Sequence, residues 1–403
     1  METSLEDTKP TTDSVPKTVY PILFSIAFAH LLNDLLQAVI PASYPILKDN
    51  YNLTFTQIGL ITFAYQMAAS ILQPIVGLYT DKKPQPFSQI FGMLFTLSGI
   101  ILLSFAASFP VIIASVILVG IGSSIFHPEA SRISFLASGG KRGLAQSIFQ
   151  LGGNAGTAIG PLLIALIVVP NTQRYIIWFS IVAIIGLLVL SRIAFWYQGH
   201  LSLRSAKKAV IELPDLSNTK IVISVIILLV LIFSKFFYMA GMSSYFTFYL
   251  MEKFSLSVQD AQFYLVMFLG SCAVGTLIGG SLGDKFGRKY VIWFSVLGVA
   301  PFTLLLPYAD LFWTGILSVV IGIIISSAFP AILVYAQELL PKKLGMVSGL
   351  FYGFAFGMGG LGSALLGNMA DHTGIVYVYH ICSYLPLIGI IAFFLPDLKK
   401  KKL

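Results

Sequence analysis

Long apolar runs separated by short polar breaks occupy nearly all of the chain from residue 19 to residue 395. Twelve can be counted, at about 19–47, 56–79, 87–108, 111–135, 143–168, 174–197, 220–250, 259–282, 290–309, 312–339, 343–369 and 374–395. A helix needs about 20 apolar residues to cross the hydrocarbon of a bilayer, and each run comes close to or exceeds that. The runs lack the ten-residue alternation of a membrane barrel, and open backbone is not tolerated in lipid. The pattern predicts an all-α polytopic membrane protein with twelve transmembrane helices. A polar insert after the sixth run then sets the division: a tail (1–18), a six-helix half (19–197), a linker (198–219), a second six-helix half (220–395) and a basic tail (396–403).

Composition agrees with the pattern. Of 403 residues, 57% are hydrophobic and 10% charged, and the mean hydropathy is +0.87. Soluble domains carry about 25% charged residues, so a water-soluble globule is excluded. The two cysteines, Cys272 and Cys382, both lie in apolar runs. They give neither a disulfide framework nor a metal spacing, and packing is the expected role. Residues 1–17 are polar and show no short apolar core with a cleavage site, so no removed signal peptide is expected.

The net charge of +8 would suit a nucleic-acid ligand until the basic residues are placed. With a cytoplasmic N-terminus, 21 of the 25 Lys and Arg fall on the inside, three (Lys48, Arg174, Lys253) fall outside, and Lys235 is left in mid-span. The positive-inside rule then puts both termini in the cytoplasm. The charge belongs to a face near anionic lipid, and nothing further supports nucleic acid.

Polar residues inside the runs carry the candidate chemistry. In the first run His30, Asn33, Asp34, Gln37 and Pro41 step by 3, 1, 3 and 4, one stripe on a 3.6-residue helix. A carboxyl near mid-membrane costs about 2.5–3.5 kcal/mol on insertion scales, so Asp34 is expected to face a cavity or a partner. It is a candidate proton carrier, with His30 one turn away to share the proton or hydrogen-bond the carboxylate. A structural Asp–His pair is the alternative.

The fourth run ends in "FHPEASR". Glu129 and Arg132, at i and i+3, suit an ion pair. Two readings stand: simple neutralisation, or a relay in which Glu129 takes a proton while His127, with Arg132, meets substrate. Pro128 is expected to bend this helix. Lys235 lies at mid-depth in the seventh run, where snorkelling to an interface fits poorly. It either pairs with Asp34 across a central cavity or holds an anionic substrate there, with Asn33 and Gln37 as further substrate contacts. The aromatics near Lys235, Phe236, Phe237, Tyr238, Tyr245 and Tyr249, are expected in the core. Glu338 is expected as a solvated gate charge, and His380 is left without a role.

The two halves repeat. "GLYTDKK" at Gly77–Lys83 and "GSLGDKF" at Gly280–Phe286 place Asp81 and Asp284 203 residues apart. The same offset carries Ser123-Ser124-Ile125-Phe126 onto Ser326-Ser327-Ala328-Phe329. Parallel six-helix repeats around a mid-membrane site resemble the major facilitator superfamily. Gly280-x-x-x-Asp284-Lys285-x-Gly287-Arg288-Lys289 resembles that superfamily's loop signature in full. The first copy keeps Gly77, Asp81 and Lys82 but has Lys83-Pro84-Gln85-Pro86 afterwards. The resemblance implies a conformational gating role for Asp81, Lys82, Asp284, Lys285 and Arg288. Gly156-x-x-x-Gly160-Pro161 resembles the antiporter signature of the fifth helix, although small residues four apart also serve plain packing.

"HLLND", "TDKKPQP", "SSIFHPEASR" and "SGGKRGLAQSIFQLGGN" together resemble the fosmidomycin resistance family. The resemblance implies proton-driven efflux of a small anionic phosphonate. One departure stands out: no basic residue lies between Val111 and Phe126, where many antiporters carry an arginine, so their coupling scheme does not transfer. The expectation is a proton-coupled antiporter in the cell inner membrane, with protons, a small anionic molecule and the lipid bilayer as its partners. It is expected to be monomeric, without cofactor or metal. A proton-coupled importer on the same fold is the alternative. No HExxH or GxSxG pattern supports an enzyme.

Overall fold

The computed structural model describes residues 18–139, 141–203, 216–340 and 344–398, and among them every regular element is helical. In the first half α1 (Tyr20–Ala42) and α2 (Tyr44–Tyr51) form the first span. The next five are α3 (Phe55–Lys82), α4 (Ser88–Ser104), α5 (Phe109–Ala137), α6 (Arg142–Leu163) and α7 (Phe179–Leu203). The second half begins with α8 (Asn218–Phe254) and α9 (Val258–Phe286). It continues with α10 (Arg288–Leu297) and α11 (Ala300–Leu305), then α12 (Leu311–Ser326) and α13 (Ala328–Leu339). It closes with α14 (Leu344–Thr373), then α15 (Ile375–Cys382) followed by a 3-10 segment, Leu385–Phe394. Among the described residues eleven helical stretches are long and apolar enough to cross a membrane, and the shorter Ser88–Ser104 supplies the twelfth span. The helix α7 continues into the expected linker as far as Leu203. The rest of that linker up to 215, and the tails at 1–17 and 399–403, lie outside the described residues.

Several runs that read as single helices are broken, and the breaks have local causes. The ninth is interrupted after Leu297, and α11 restarts with Pro301 in its first turn. Proline has no amide to continue the ladder. In the first span Ser43 Oγ donates to Val39 O at 2.7 Å, and Pro45 opens α2. The fifth span ends in a π-turn, Ile164–Val168, directly after the last turn of α6, which holds Pro161. Such a turn relocates carbonyls that have lost their amide partner. Pro128, by contrast, sits inside α5 without breaking it. Helix starts are capped where the sequence allows. Thr54 and Gln57 form a capping box on α3, and the side chains of Ser257 and Asp310 accept from Asp260 N and Trp313 N.

Large apolar side chains such as Phe91, Leu188, Phe195, Phe312, Phe393 and Phe394 are all more than 60% exposed. In a membrane this outer surface meets acyl chains. The polar side chains turn inward: His30, Asn33, Gln37, His127, Glu129 and Lys235 are buried.

Within the first half α6 lies along α1 on a glycine face. Gly152, Gly156 and Gly160 sit against the backbone of Ala27, the backbone of Leu31 and the Ala38 side chain. Gly156 and Gly160 therefore belong to an intra-half seam. Between the halves, α3 packs on α14 and α6 on α9. At the end of the bundle away from the termini, the Asp371 carboxylate of α14 accepts from Phe55 N (2.8 Å), Thr56 N (2.7 Å) and Thr56 Oγ1 (2.6 Å) at the start of α3. There too Gln262 Nε2 donates to Ala42 O at 2.9 Å. Nearer the termini, Gln146 Nε2 donates to Tyr352 Oη at 3.0 Å, and Tyr352 donates to Gln150 Oε1 at 3.2 Å.

Candidate functional site: a polar cavity between the halves

At mid-depth the two halves enclose a cavity of about 210 Å³. The first half lines it with His30, Asp34, His127, Gln150, Asn154 and Thr157. The second half contributes Lys235, Phe236, Met239, Cys272, Thr276, Ser326, Phe329, Pro330, Tyr352 and Phe356, among others. A lipid-facing helix gains nothing from these polar groups, and the inward stripes of α1, α5, α6 and α8 account for them.

Asp34 is the centre of the first-half wall. His30 Nε2 lies 3.1 Å from Asp34 Oδ2, and His127 Nε2 lies 3.6 Å from Asp34 Oδ1. Asn33 Nδ2 and Gln37 Nε2 donate to Asp34 Oδ1 at 3.0 and 3.3 Å. Gln37 Oε1 in turn accepts from Tyr65 Oη and, at 3.4 Å, from Ser123 Oγ. Both imidazoles are anchored from behind: His30 Nδ1 is 2.7 Å from Phe149 O, and His127 Nδ1 is 3.0 Å from Ser123 O. The His30 ring stacks on Phe149 with centroids 4.0 Å apart. Gly153 leaves room for the pair, since a Cβ there would stand 2.5 Å from His30 Cε1 and 2.6 Å from Asp34 Oδ2.

Lys235 forms the opposite pole. It is 4% exposed and has neither an ion pair nor a hydrogen bond among the described residues. Its Nζ stands 5.7 and 5.6 Å from the ring centroids of Phe236 and Phe329, and the π faces stabilise the ammonium. Of the two readings for Lys235, direct pairing with Asp34 is not formed, the carboxylate being already surrounded by two imidazoles and two amides. The cavity thus has an acidic-imidazole wall and a cationic wall.

Other candidate residues fall elsewhere. Asn33 and Gln37 do not line the cavity; their amides are spent on Asp34. Glu129 is 1% exposed and also lies off the cavity, its Oε1 3.6 Å from Arg132 Nε. Arg132, expected to touch substrate, instead donates to Thr80 O and Thr80 Oγ1 on α3. Three residues further along its helix than Glu129, it lies nearer the terminus end of the bundle. There Arg288 pairs with Glu338, joining α10 to α13, so Glu338 is not a lone solvated charge. Lys82 and Lys285 are exposed at the ends of α3 and α9. The side chains of Asp81 and Asp284 lie outside the described residues, though both positions are helical. His380 packs edge-on against Tyr308, with centroids 5.0 Å apart.

Sequence reasoning missed Gln150, Asn154 and Thr157, which line the cavity from α6, and Thr276 and Tyr352 across from them. Asn154 Nδ2 donates to Thr276 Oγ1 at 2.6 Å, linking the halves beside the cavity. The signal was present: Gln146, Gln150, Asn154 and Thr157 step by 4, 4 and 3, the same one-faced stripe that singled out α1.

Two repeated six-helix halves closing on a polar mid-membrane cavity define a secondary transporter and not an enzyme. The chain belongs to the fosmidomycin resistance family of the major facilitator superfamily, whose model, described as Major Facilitator Superfamily, matches residues 26–273 and 231–403. It is 56% identical over 385 residues to the fosmidomycin resistance protein of Escherichia coli (strain K12), covering 96% of this chain and 95% of that one. It is 44% identical over 388 residues to the uncharacterized MFS-type transporter YfnC of Bacillus subtilis (strain 168), covering 95% and 94%. A solved bacterial homologue of the human lysosomal transporter Spinster, inward-facing and occupied, superposes with a TM-score of 0.68 at 17% identity over 93% of this chain and 94% of that one. That likeness speaks for the fold alone.

Proposed function

We propose that this transporter exports a small anionic phosphonate of the fosmidomycin type, in exchange for protons, by alternating access across the cell inner membrane. Lys235 carries the reading: a buried cation, free of any carboxylate, on the wall of a cavity between two halves. Bringing such a charge to mid-membrane is expensive, and an anionic cargo offsets that expense. Asp34, with His30 and His127 beside it, is the place for the exchanged proton. Substrate anion and proton then favour opposite arrangements of the same chamber. The name of the 56%-identical relative supports phosphonate as the cargo. The 21 basic residues on the terminus side support cytoplasmic termini. One chain supplies both walls of the cavity, which supports a monomer as the working unit.

The test is growth of a sensitive bacterium on fosmidomycin, paired with proteoliposomes that carry the purified transporter. Wild type is expected to protect cells, and acidifying the side opposite the substrate is expected to drive substrate across. Asp34→Asn is expected to abolish the response to the pH gradient. Lys235→Met is expected to weaken substrate binding about 10–100-fold, the equivalent of a lost hydrogen bond to a charged group at about 1.5–3 kcal/mol. Full protection by Asp34→Asn removes that residue from coupling, and substrate moving with the proton instead of against it makes the chain an importer.

A further inference from the structure

The acidic wall of the cavity is arranged as a set of ligands. A backbone carbonyl only accepts, so the contacts of His30 Nδ1 with Phe149 O (2.7 Å) and of His127 Nδ1 with Ser123 O (3.0 Å) put a hydrogen on each Nδ1. In the neutral tautomer with that hydrogen, each ring turns the lone pair of Nε2 forward. Those two lone pairs meet the Asp34 carboxylate, 3.1 and 3.6 Å away. The three groups each offer one atom, and those atoms lie within 4.8 Å of one another. With both rings in that form, three electron-pair donors face one point and repel unless a cation, a proton or a metal ion, stands among them.

We propose that His30, Asp34 and His127 bind a divalent transition-metal ion, with one coordination position open to the cavity for an oxyanion of the substrate. Imidazole and carboxylate together suit zinc or cobalt rather than magnesium. Bonds of 2.0–2.1 Å in a tetrahedron put ligand atoms about 3.3 Å apart; each histidine already stands 3.1 or 3.6 Å from one carboxylate oxygen, and the set, within 4.8 Å, closes by a small contraction. Ligating histidines donate their other ring N–H to a carbonyl or carboxylate, which fixes the ring; both rings here do so. Asn33 and Gln37 orient the carboxylate in the same way, at 3.0 and 3.3 Å. Three protein ligands with a fourth position left open is the pattern of sites that exchange a ligand. Gly153 keeps the space beside His30 Nε2 clear, since a Cβ would come within 2.6 Å of it. A phosphonate bound there has one oxygen on the metal and its remaining charge toward Lys235. The substrate class becomes a metal-chelating oxyanion. The metal belongs to the loaded leg of the cycle and leaves the cluster free for the exchanged cation on the return. The inference rests on the cavity being the substrate path; it does not rest on the direction of transport.

The test uses full-length protein purified without a polyhistidine tag and titrated with Co²⁺ alone, read by its visible absorption. One Co²⁺ per chain with tetrahedral-type bands is expected. His30→Ala and His127→Ala are expected to weaken binding at least about tenfold, the lower range for disturbing a metal site. The chain holds five histidines, so the triple variant His200→Ala, His372→Ala, His380→Ala is expected to bind as wild type does. If the alanine variants do not fold, His127→Gln keeps the volume and gives the same readout. Absence of bands in wild type, bands unchanged in the His127 variants, or bands lost in the triple variant would each overturn the site. Protection against fosmidomycin is scored in parallel. Protection without Co²⁺ binding removes the metal and keeps the exporter, while binding without protection does the reverse.

Discussion

Single side chains decide what the cavity can hold, and the one that contributes least volume is the most constraining. Gly153 on α6 abuts both His30 and Asp34. Adding one methyl forces the imidazole or the carboxylate aside, and overpacking of this kind costs about 1–3 kcal/mol. Gly153→Ala is therefore expected to lower transport at least about tenfold while the protein still inserts and folds. Size-exclusion profiles set beside efflux rates check this, and unchanged efflux would show that the pair tolerates displacement. The polar stripe of the first span was legible because period 3.6 is visible in any apolar background. The partners of that stripe were not. Nothing in the order of residues says that Phe149 O and Ser123 O would take the two Nδ1 hydrogens, because backbone acceptors carry no side-chain signature. Arg132 was misplaced for a related reason: sequence gives depth along a helix but not the direction in which a long side chain leaves it.

At the level of elements, the twelve runs were legible to within a few residues, since hydrocarbon thickness sets a length that composition alone reveals. The internal breaks of the ninth and twelfth spans were harder to see, because proline inside an apolar run either bends a helix or ends it. Pro128 is passed through, whereas the chain restarts at Pro301. The contact between α14 and α3 is an element-scale device of its own. Asp371 supplies a carboxylate to the amides opening α3, where a negative charge is favoured. Asp371→Ala removes these bonds, and at about 1.5 kcal/mol or more for hydrogen bonds to a charged group the far end is expected to open about tenfold more often. Cys272 lines the cavity, while the other thiol, Cys382, is 4% exposed and lies off it. In a Cys382→Ala background, faster labelling of Cys272 by an impermeant maleimide from the far side is the expected sign. An unchanged rate would assign the closure to other contacts.

For the whole molecule, the 203-residue offset announced two like halves, and the fold has them. What the repeat concealed is how unlike their working faces are. The position matching His127 is Pro330, and the one matching Asp34 is Phe237; the shared scaffold carries an acid-imidazole wall on one side and a lone ammonium on the other. The even number of spans puts both termini on one side, and the Lys and Arg counts support the proposal that this side is the cytoplasm. Terminal reporter fusions are expected to be active only in the cytoplasm, and a periplasmic signal from either end would invert the transport direction proposed above.

The Asp371 contact carries a consequence for the energetics of rocking. Its carboxylate is exposed even while it holds the α3 amides. The amides it serves sit at a helix tip, where water substitutes readily. Parting them exchanges protein hydrogen bonds for aqueous ones and strands nothing in lipid. The clasp is thus one that can open and close without stranding a polar group.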